Sequence, residues 1–339
     1  MERLYIHCGL PKTGTTSIQK YFAQHRIELR VQGYDYPEIG VNGDKTAHHN
    51  LAREILKHKD YVGELGSIAD FWMYCASGTT CPNLILSSEG LTHCLFRARN
   101  DLLAFMSEAK RRVRALRIIF TFRKFFKIAE STYLDHLKKG ENSRDYRQPV
   151  DLDRTARWLS NLAEGLAELR KAVGDDNFII CDAEATDSVV ALEECLGLSA
   201  RRERDDGAVF NRRIGLRKAA LLFRLRLSPK SDLLTPKQRI RAIKAVLSIP
   251  NFPGDTFDYS LVHFEDANAI QSIARRSFPD FLISGLPRSL EPESVPFAST
   301  DLRTFQFSED ELEIVRTALP PKIADSLPWL RAGMANSIC

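Results

Sequence analysis

The sequence has no run of about 20 apolar residues, the length needed to cross a bilayer. It has no leader pattern ahead of its first apolar segment, into which Glu2 and Arg3 run directly. Charge of one sign is also scarce: 48 Lys and Arg stand against 44 Asp and Glu, a net charge of +4 with histidine neutral. A general nucleic-acid binder is more strongly and more locally basic. The seven cysteines (Cys8, Cys75, Cys81, Cys94, Cys181, Cys195, Cys339) are odd in number and lack the close pairing of a zinc ribbon. Several fall in apolar stretches, where a free thiol behaves as a small hydrophobe. No segment repeats. These absences argue against a membrane-spanning chain, a disulfide scaffold, a metal site and a nucleic-acid partner. They lead us to expect a cytoplasmic protein with reduced thiols, with a Cys75–Cys81 bridge left open. What is present, 339 residues with 44% hydrophobic and 27% charged content, suffices for one large α/β domain with appendages, or for two domains.

Short apolar runs alternate with helical patterns over the first two thirds of the chain. Strands are expected at 3–8, 83–88, 117–122 and 177–181, and helices at 14–32, 47–58, 100–114, 124–138, 151–172 and 187–197. Gly33–Pro37 reads as a loop or short strand, and 140–150 as a polar surface loop. Such alternation implies βαβ units and a parallel sheet, whose ligands bind outside the carboxyl ends of the strands. From about 228 the strand signals fade. Helices are expected at 235–247, 265–277, 308–318 and 321–331, with a Pro/Ser-rich linker at 284–300. The expected division is therefore an α/β core at 1–227 and a mostly helical region at 228–339. The basic residues of 237–244 read as a solvated helix face.

The segment Arg3-Leu4-Tyr5-Ile6-His7-Cys8-Gly9-Leu10-Pro11-Lys12-Thr13-Gly14-Thr15-Thr16 reads as a strand, a glycine-bracketed loop and the start of a helix. Gly9 and Gly14 let the backbone bend close to an anion, and the helix N-terminus turns amides and a positive dipole end toward it. Lys12, Thr13, Thr15 and Thr16 add a charge and hydroxyl donors. A triphosphate loop carries its lysine directly after the second glycine, followed by a Ser or Thr that holds magnesium. Here Thr15 stands in the lysine position and the lysine has moved inside the loop. A second motif, Ile119-Phe120-Thr121-Phe122-Arg123, ends an apolar strand on a guanidinium suited to bidentate phosphate binding. Ser131 follows eight positions later, about two helical turns away.

The Gly-x-x-Lys-x-Gly-Thr-Thr loop resembles the 5′-phosphosulfate loop of the sulfotransferases that use 3′-phosphoadenosine 5′-phosphosulfate. The Arg123-x7-Ser131 pattern resembles their 3′-phosphate motif, and Ile85-Leu86-Ser87-Ser88-Glu89 resembles a segment of bacterial and carbohydrate sulfotransferases in which the acid faces the active site. The resemblance covers residues 1–220. It implies a P-loop NTPase-like three-layer α/β fold, with a central parallel sheet flanked by helices and a helical C-terminal extension. It also implies donor binding by Pro11, Lys12, Thr13, Gly14, Thr15, Thr16, Arg123 and Ser131. The late basic segment that closes over the nucleotide maps onto Arg212 and Arg213, without the family's Arg-Lys-Gly form.

Lys12 is the expected neutraliser of leaving-group charge, with no metal. Glu89 is the first choice of general base, and His49, His48 and His93 are the alternatives. Glu89 also fits the start of a helix as a capping carboxylate. His7, inside the first strand, reads as packed. The expected acceptor is a carbohydrate, glycolipid or other small molecule with a hydroxyl or amine. Arg97, Arg99, Arg144 and Arg147 are available to an acidic glycan, although such arginines commonly just solvate a surface. A P-loop nucleotide or small-molecule kinase and a non-catalytic nucleotide-binding module stay open beside this reading.

Overall fold

The computed structural model of the chain describes residues 1–42, 46–77, 79–139, 150–184, 188–198, 214–227, 234–249, 256, 260–286, 289–293, 302 and 305–330. The chain is α/β. Five strands, β1 (Arg3–His7), β2 (Tyr34–Asp35), β3 (Asn83–Ser87), β4 (Ala115–Phe122) and β5 (Phe178–Asp182), form one all-parallel sheet in the order β2-β3-β1-β4-β5. The four longer strands are the four apolar runs expected. A strand buried on both faces needs no polar alternation, so each reads as a continuous hydrophobic stretch. Helices flank the sheet, consistent with a P-loop-like three-layer fold that continues into a helical C-terminal region. Among the described residues, no helix is long and apolar enough to cross a membrane.

In chain order the helices are α1 (Thr15–Gln24), α2 (Arg26–Val31), α3 (His49–Ile55), α4 (Ile68–Ser77), α5 (Gly90–Arg97), α6 (Arg99–Arg112), α7 (Phe125–Lys139), α8 (Leu152–Val173), α9 (Ser188–Leu196), α10 (Leu216–Leu227), α11 (Pro236–Ser248), α12 (Phe264–Ser277), α13 (Asp280–Gly285), α14 (Glu309–Ala318) and α15 (Pro321–Ala324). Three expectations need correction. The single helix at 14–32 breaks at His25, where φ −106° and ψ 26° leave the helical basin; the break lets Arg26 Nε donate to the Tyr36 carbonyl at 2.9 Å. The helix at 321–331 stops at Ala324 and resumes only as a 3₁₀ turn at Pro328–Leu330, because Pro328 has no N–H to donate. The expected linker is anchored at Ser289, which donates from its amide (2.9 Å) and its hydroxyl (2.5 Å) to Asp182 at the end of β5. Residues 294–300 lie outside the described residues.

The chain divides into two compact units, each discontinuous in sequence. The first (1–128, 152–211, 270–292) holds the sheet. Below the loop that follows β1, its core carries a polar cluster. His7, buried in the central strand, contacts Ser87 Oγ of β3 at 2.8 Å through Nδ1 and Thr121 Oγ1 of β4 at 2.9 Å through Nε2. The second unit (129–151, 212–269, 293–339) is helical. Tyr133, Leu134 and Leu137 of α7 pack there with Leu221, Ile243, Val246, Leu312 and Val315. Two of its helices start with capping boxes, Thr235 with Gln238 and Ser308 with Glu311, each closing two otherwise orphaned backbone donors. Cys75 and Cys81 are free thiols.

Two buried histidines give the first unit an acid-sensitive core. Burial pulls the His7 imidazole down to about 3. His48 falls to about 4, again through burial, against a partial upward pull from the Pro37 and Ser87 carbonyls. Both are neutral when folded, whereas the unfolded chain takes up a proton at each near pH 6.5. Stability should therefore be flat for these groups above pH 6.5. It should fall by about 1.4 kcal/mol per pH unit for each as pH drops toward their folded values. Urea unfolding at pH 7.5, 6.0 and 5.0 should show this loss setting in below 6.5, above the range in which most carboxylates titrate.

Candidate functional site

The strand register assembles the site. His7 lies opposite Ser87 on β3 and Ile119 on β4, so chain leaving β1 is flanked by chain leaving β3 and by the last turns of β4. Pairing continues past the strand: Cys8 N donates to the Ile119 carbonyl (2.8 Å), Ser88 N to the His7 carbonyl (3.0 Å) and Leu10 N to the Thr121 carbonyl (3.2 Å). The loop Pro11–Gly14 then turns sharply. Lys12 has φ +67° and Gly14 φ +89°. For lysine the left-handed basin costs about 1–2 kcal/mol, and the fold holds it there through two bonds: Arg123 Nη1 to the Lys12 carbonyl (3.1 Å) and Thr13 Oγ1 to the Leu10 carbonyl (2.7 Å). Gly14 is the N-cap of α1 and supplies no side-chain cap. The first amides of α1, with the positive dipole end, thus belong to this loop. Pro11, Lys12 and Thr16 are half-buried there, while Thr13 and Thr15 are buried.

Gly9 is required by close approach. A Cβ on it would lie 2.1 Å from Thr15 Cγ2. Gly9→Ala should therefore push Thr15 aside and cost about 1–3 kcal/mol, the usual scale of overpacking. Thermal unfolding would register that as a lowered Tm.

Glu89 sits at the carboxyl end of β3, directly before α5, and meets the loop. Thr15 Oγ1 donates to Glu89 Oε2 at 2.7 Å. Among the described residues, no side-chain cap from Glu89 to the α5 amides is present, so the capping role does not describe its contact. His93, one turn along α5, is exposed at the surface; atoms packed around its ring make it carry a proton less readily, with the Glu89 charge pulling the other way. His49 Nδ1 contacts Ser88 Oγ at 2.8 Å, next in sequence to Glu89. His48 is fully buried, with its ring on the Pro37 carbonyl (3.0 Å) and the Ser87 backbone. It is a core histidine, and so is His7, as its place in the first strand led us to expect.

Arg123 follows β4. Besides the Lys12 carbonyl it faces Glu184, which lies just beyond β5: Nε to Oε1 is 3.4 Å. The same carboxylate accepts from the Lys124 amide (3.2 Å) and from Lys127 Nζ on α7 (2.7 Å). Burial pushes the Glu184 carboxyl up, but Lys127 and Arg123 outweigh it and hold the group below the usual carboxylate range. Ser131, half-buried, stands two turns along α7 in the part that belongs to the second unit. Arg212 and Arg213 lie outside the described residues, as do Arg144 and Arg147. Arg99 is engaged by Glu168 (3.0 Å) and Glu164 (3.5 Å) on α8, so it serves a helix–helix contact.

The sequence reading missed two residues. Thr92, buried on α5, donates to the Gly9 carbonyl at 3.0 Å and ties that helix to the loop. Glu184 carries no local signal. Only the parallel register of β4 and β5, with Phe122 opposite Asp182, puts it beside Arg123 and Lys124. Comparison with protein-family models, with curated proteins and with solved structures finds no significant match to this chain.

Proposed function

We propose that the chain is a sulfotransferase that moves a sulfuryl group from 3′-phosphoadenosine 5′-phosphosulfate to a hydroxyl or amine of an acceptor, with a carbohydrate or glycolipid as the preferred class. One observation carries this reading. Three pieces singled out separately in the sequence, the Lys12 loop, Glu89 and Arg123, meet at the carboxyl edge of β1, β3 and β4, through the Thr15–Glu89 bond of 2.7 Å and the Arg123–Lys12 carbonyl bond of 3.1 Å.

The residues suit the donor. The loop ends on an uncapped helix N-terminus at a left-handed glycine, a backbone shape that favours an anion. The cations beside it already accommodate one anion, the Glu184 carboxylate. Lys12, Thr13, Gly14, Thr15 and Thr16, with Pro11 shaping the turn, would hold the 5′ end, and Arg123 the 3′-phosphate. The co-substrate supplies an activated sulfuryl group when bound. Lys12 contributes positive charge where negative charge develops, and the α1 amides contribute fixed dipoles. Such preorganised electrostatics commonly form the largest catalytic contribution. Glu89 takes the acceptor proton at Oε1, since Oε2 is occupied by the Thr15 hydroxyl. That bond also fixes the carboxylate's direction at the loop.

The test is release of 3′-phosphoadenosine 5′-phosphate from the phosphosulfate donor in EDTA, with sugar and amine acceptors supplied. Acceptor-dependent release supports the proposal. Phosphoryl transfer from ATP that EDTA abolishes would make the chain a kinase. Tight nucleotide binding without turnover would make it a binding module.

A further inference from the structure

The carboxylate of Glu184 stands where an anionic ligand group would. Oε1 lies 3.4 Å from Arg123 Nε and 3.2 Å from the Lys124 amide, and Oε2 lies 2.7 Å from Lys127 Nζ. A guanidinium edge, an ammonium and a backbone N–H converging on two oxygens is the donor set of a phosphate site. The exposures differ in an informative way. Glu184 keeps 14% of its side-chain surface, whereas Arg123 keeps 33% and Lys127 37%. The cations are therefore the more accessible partners. Lys124 and Lys127 both follow Arg123 at the entry to α7, so all three donors come from one short stretch of chain.

We infer that Glu184 is a built-in counter-anion for the 3′-phosphate subsite, one that the ligand's phosphate must displace from Arg123 and Lys127 and that thereby sets how tightly a 3′-phosphorylated nucleotide binds. The inference rests on the reading proposed above. In the free protein the carboxylate accepts from all three donors and keeps them ordered. A 3′-phosphate brings more oxygens and more charge than one carboxylate and can take the cations over. A nucleotide with a free 3′-hydroxyl cannot, because a neutral hydroxyl does not compete with a carboxylate for two cations. Glu184 thus lowers the affinity for the 3′-phosphorylated ligand, leaves that for the simpler nucleotide untouched, and so moderates the preference between them.

The sign of one substitution decides between this role and simple positioning. Glu184→Gln keeps the shape and removes the charge. Calorimetry on wild type and variant with 3′-phosphoadenosine 5′-phosphate and with adenosine 5′-phosphate is expected to give roughly tenfold tighter binding of the first by the variant, the scale of one charge-assisted contact no longer displaced. Binding of the second should be unchanged. Glu184→Ala should show the same gain, which guards against a folding defect particular to the amide. Equal or weaker binding of the 3′-phosphorylated ligand by both variants, with wild type still preferring it, would overturn the inference and leave the sulfotransferase reading intact. Loss of the preference in wild type itself would overturn the reading, and this inference with it.

Discussion

Lys12→Ala is expected to lower the turnover number by about 10²–10³-fold, the usual effect of removing one preorganised charge or donor from a transition state. The structure makes the interpretation clean. Lys12 is half-buried and holds a left-handed backbone, φ +67°, which alanine tolerates no better and no worse. Fold stability should hardly move. Lys12→Gly sharpens the contrast, because relief of the left-handed cost of about 1–2 kcal/mol is offset by about 0.4–1 kcal/mol of added unfolded-chain entropy, so stability should hold or rise slightly while activity is lost equally. Steady-state kinetics and thermal unfolding on the same three proteins would separate chemistry from folding. Full activity in Lys12→Ala would remove the residue from the mechanism.

Arg123→Ala is expected to weaken binding of 3′-phosphoadenosine 5′-phosphate by about a hundredfold, the scale of one or two charge-assisted hydrogen bonds. A motif alone would predict no effect on adenosine 5′-phosphate. The geometry changes that, because Arg123 Nη1 also donates to the Lys12 carbonyl in the 5′ loop. A loss of a few-fold for the simpler nucleotide should therefore accompany the large loss for the 3′-phosphorylated one. Equal losses for both would mean that Arg123 acts only by shaping the loop. Titrations of both ligands into both proteins give this ratio directly.

The sheet was legible because each buried parallel strand is a bare apolar run: Leu84–Leu86 and Ile118–Phe122 need no partner in sequence to be recognised. The loop was legible because phosphate cradles concentrate glycine, lysine and hydroxyls in a few adjacent positions. Helix α4 escaped, since Phe71, Trp72 and Cys75 face the core amid other apolar residues that blur the period. What local pattern cannot carry is register. Glu89 is one acid after one strand until His7 is set opposite Ser87, which brings it to Thr15. Glu184 is invisible until Phe122 is set opposite Asp182. His48 is the converse case. A histidine pair beside a turn invited a chemical role, yet tertiary packing buries one ring against Pro37 and Ser87 and leaves its neighbour, His49, at the Ser88 hydroxyl.

On the proposed function, the loop and Arg123 together hold a 3′-phosphorylated nucleotide. Calorimetry of the wild-type protein with 3′-phosphoadenosine 5′-phosphate, and separately with ADP plus magnesium, tests it most directly. Clear preference for the 3′-phosphorylated ligand, unaltered by EDTA, is the expected result. Preference for ADP with magnesium would contradict it.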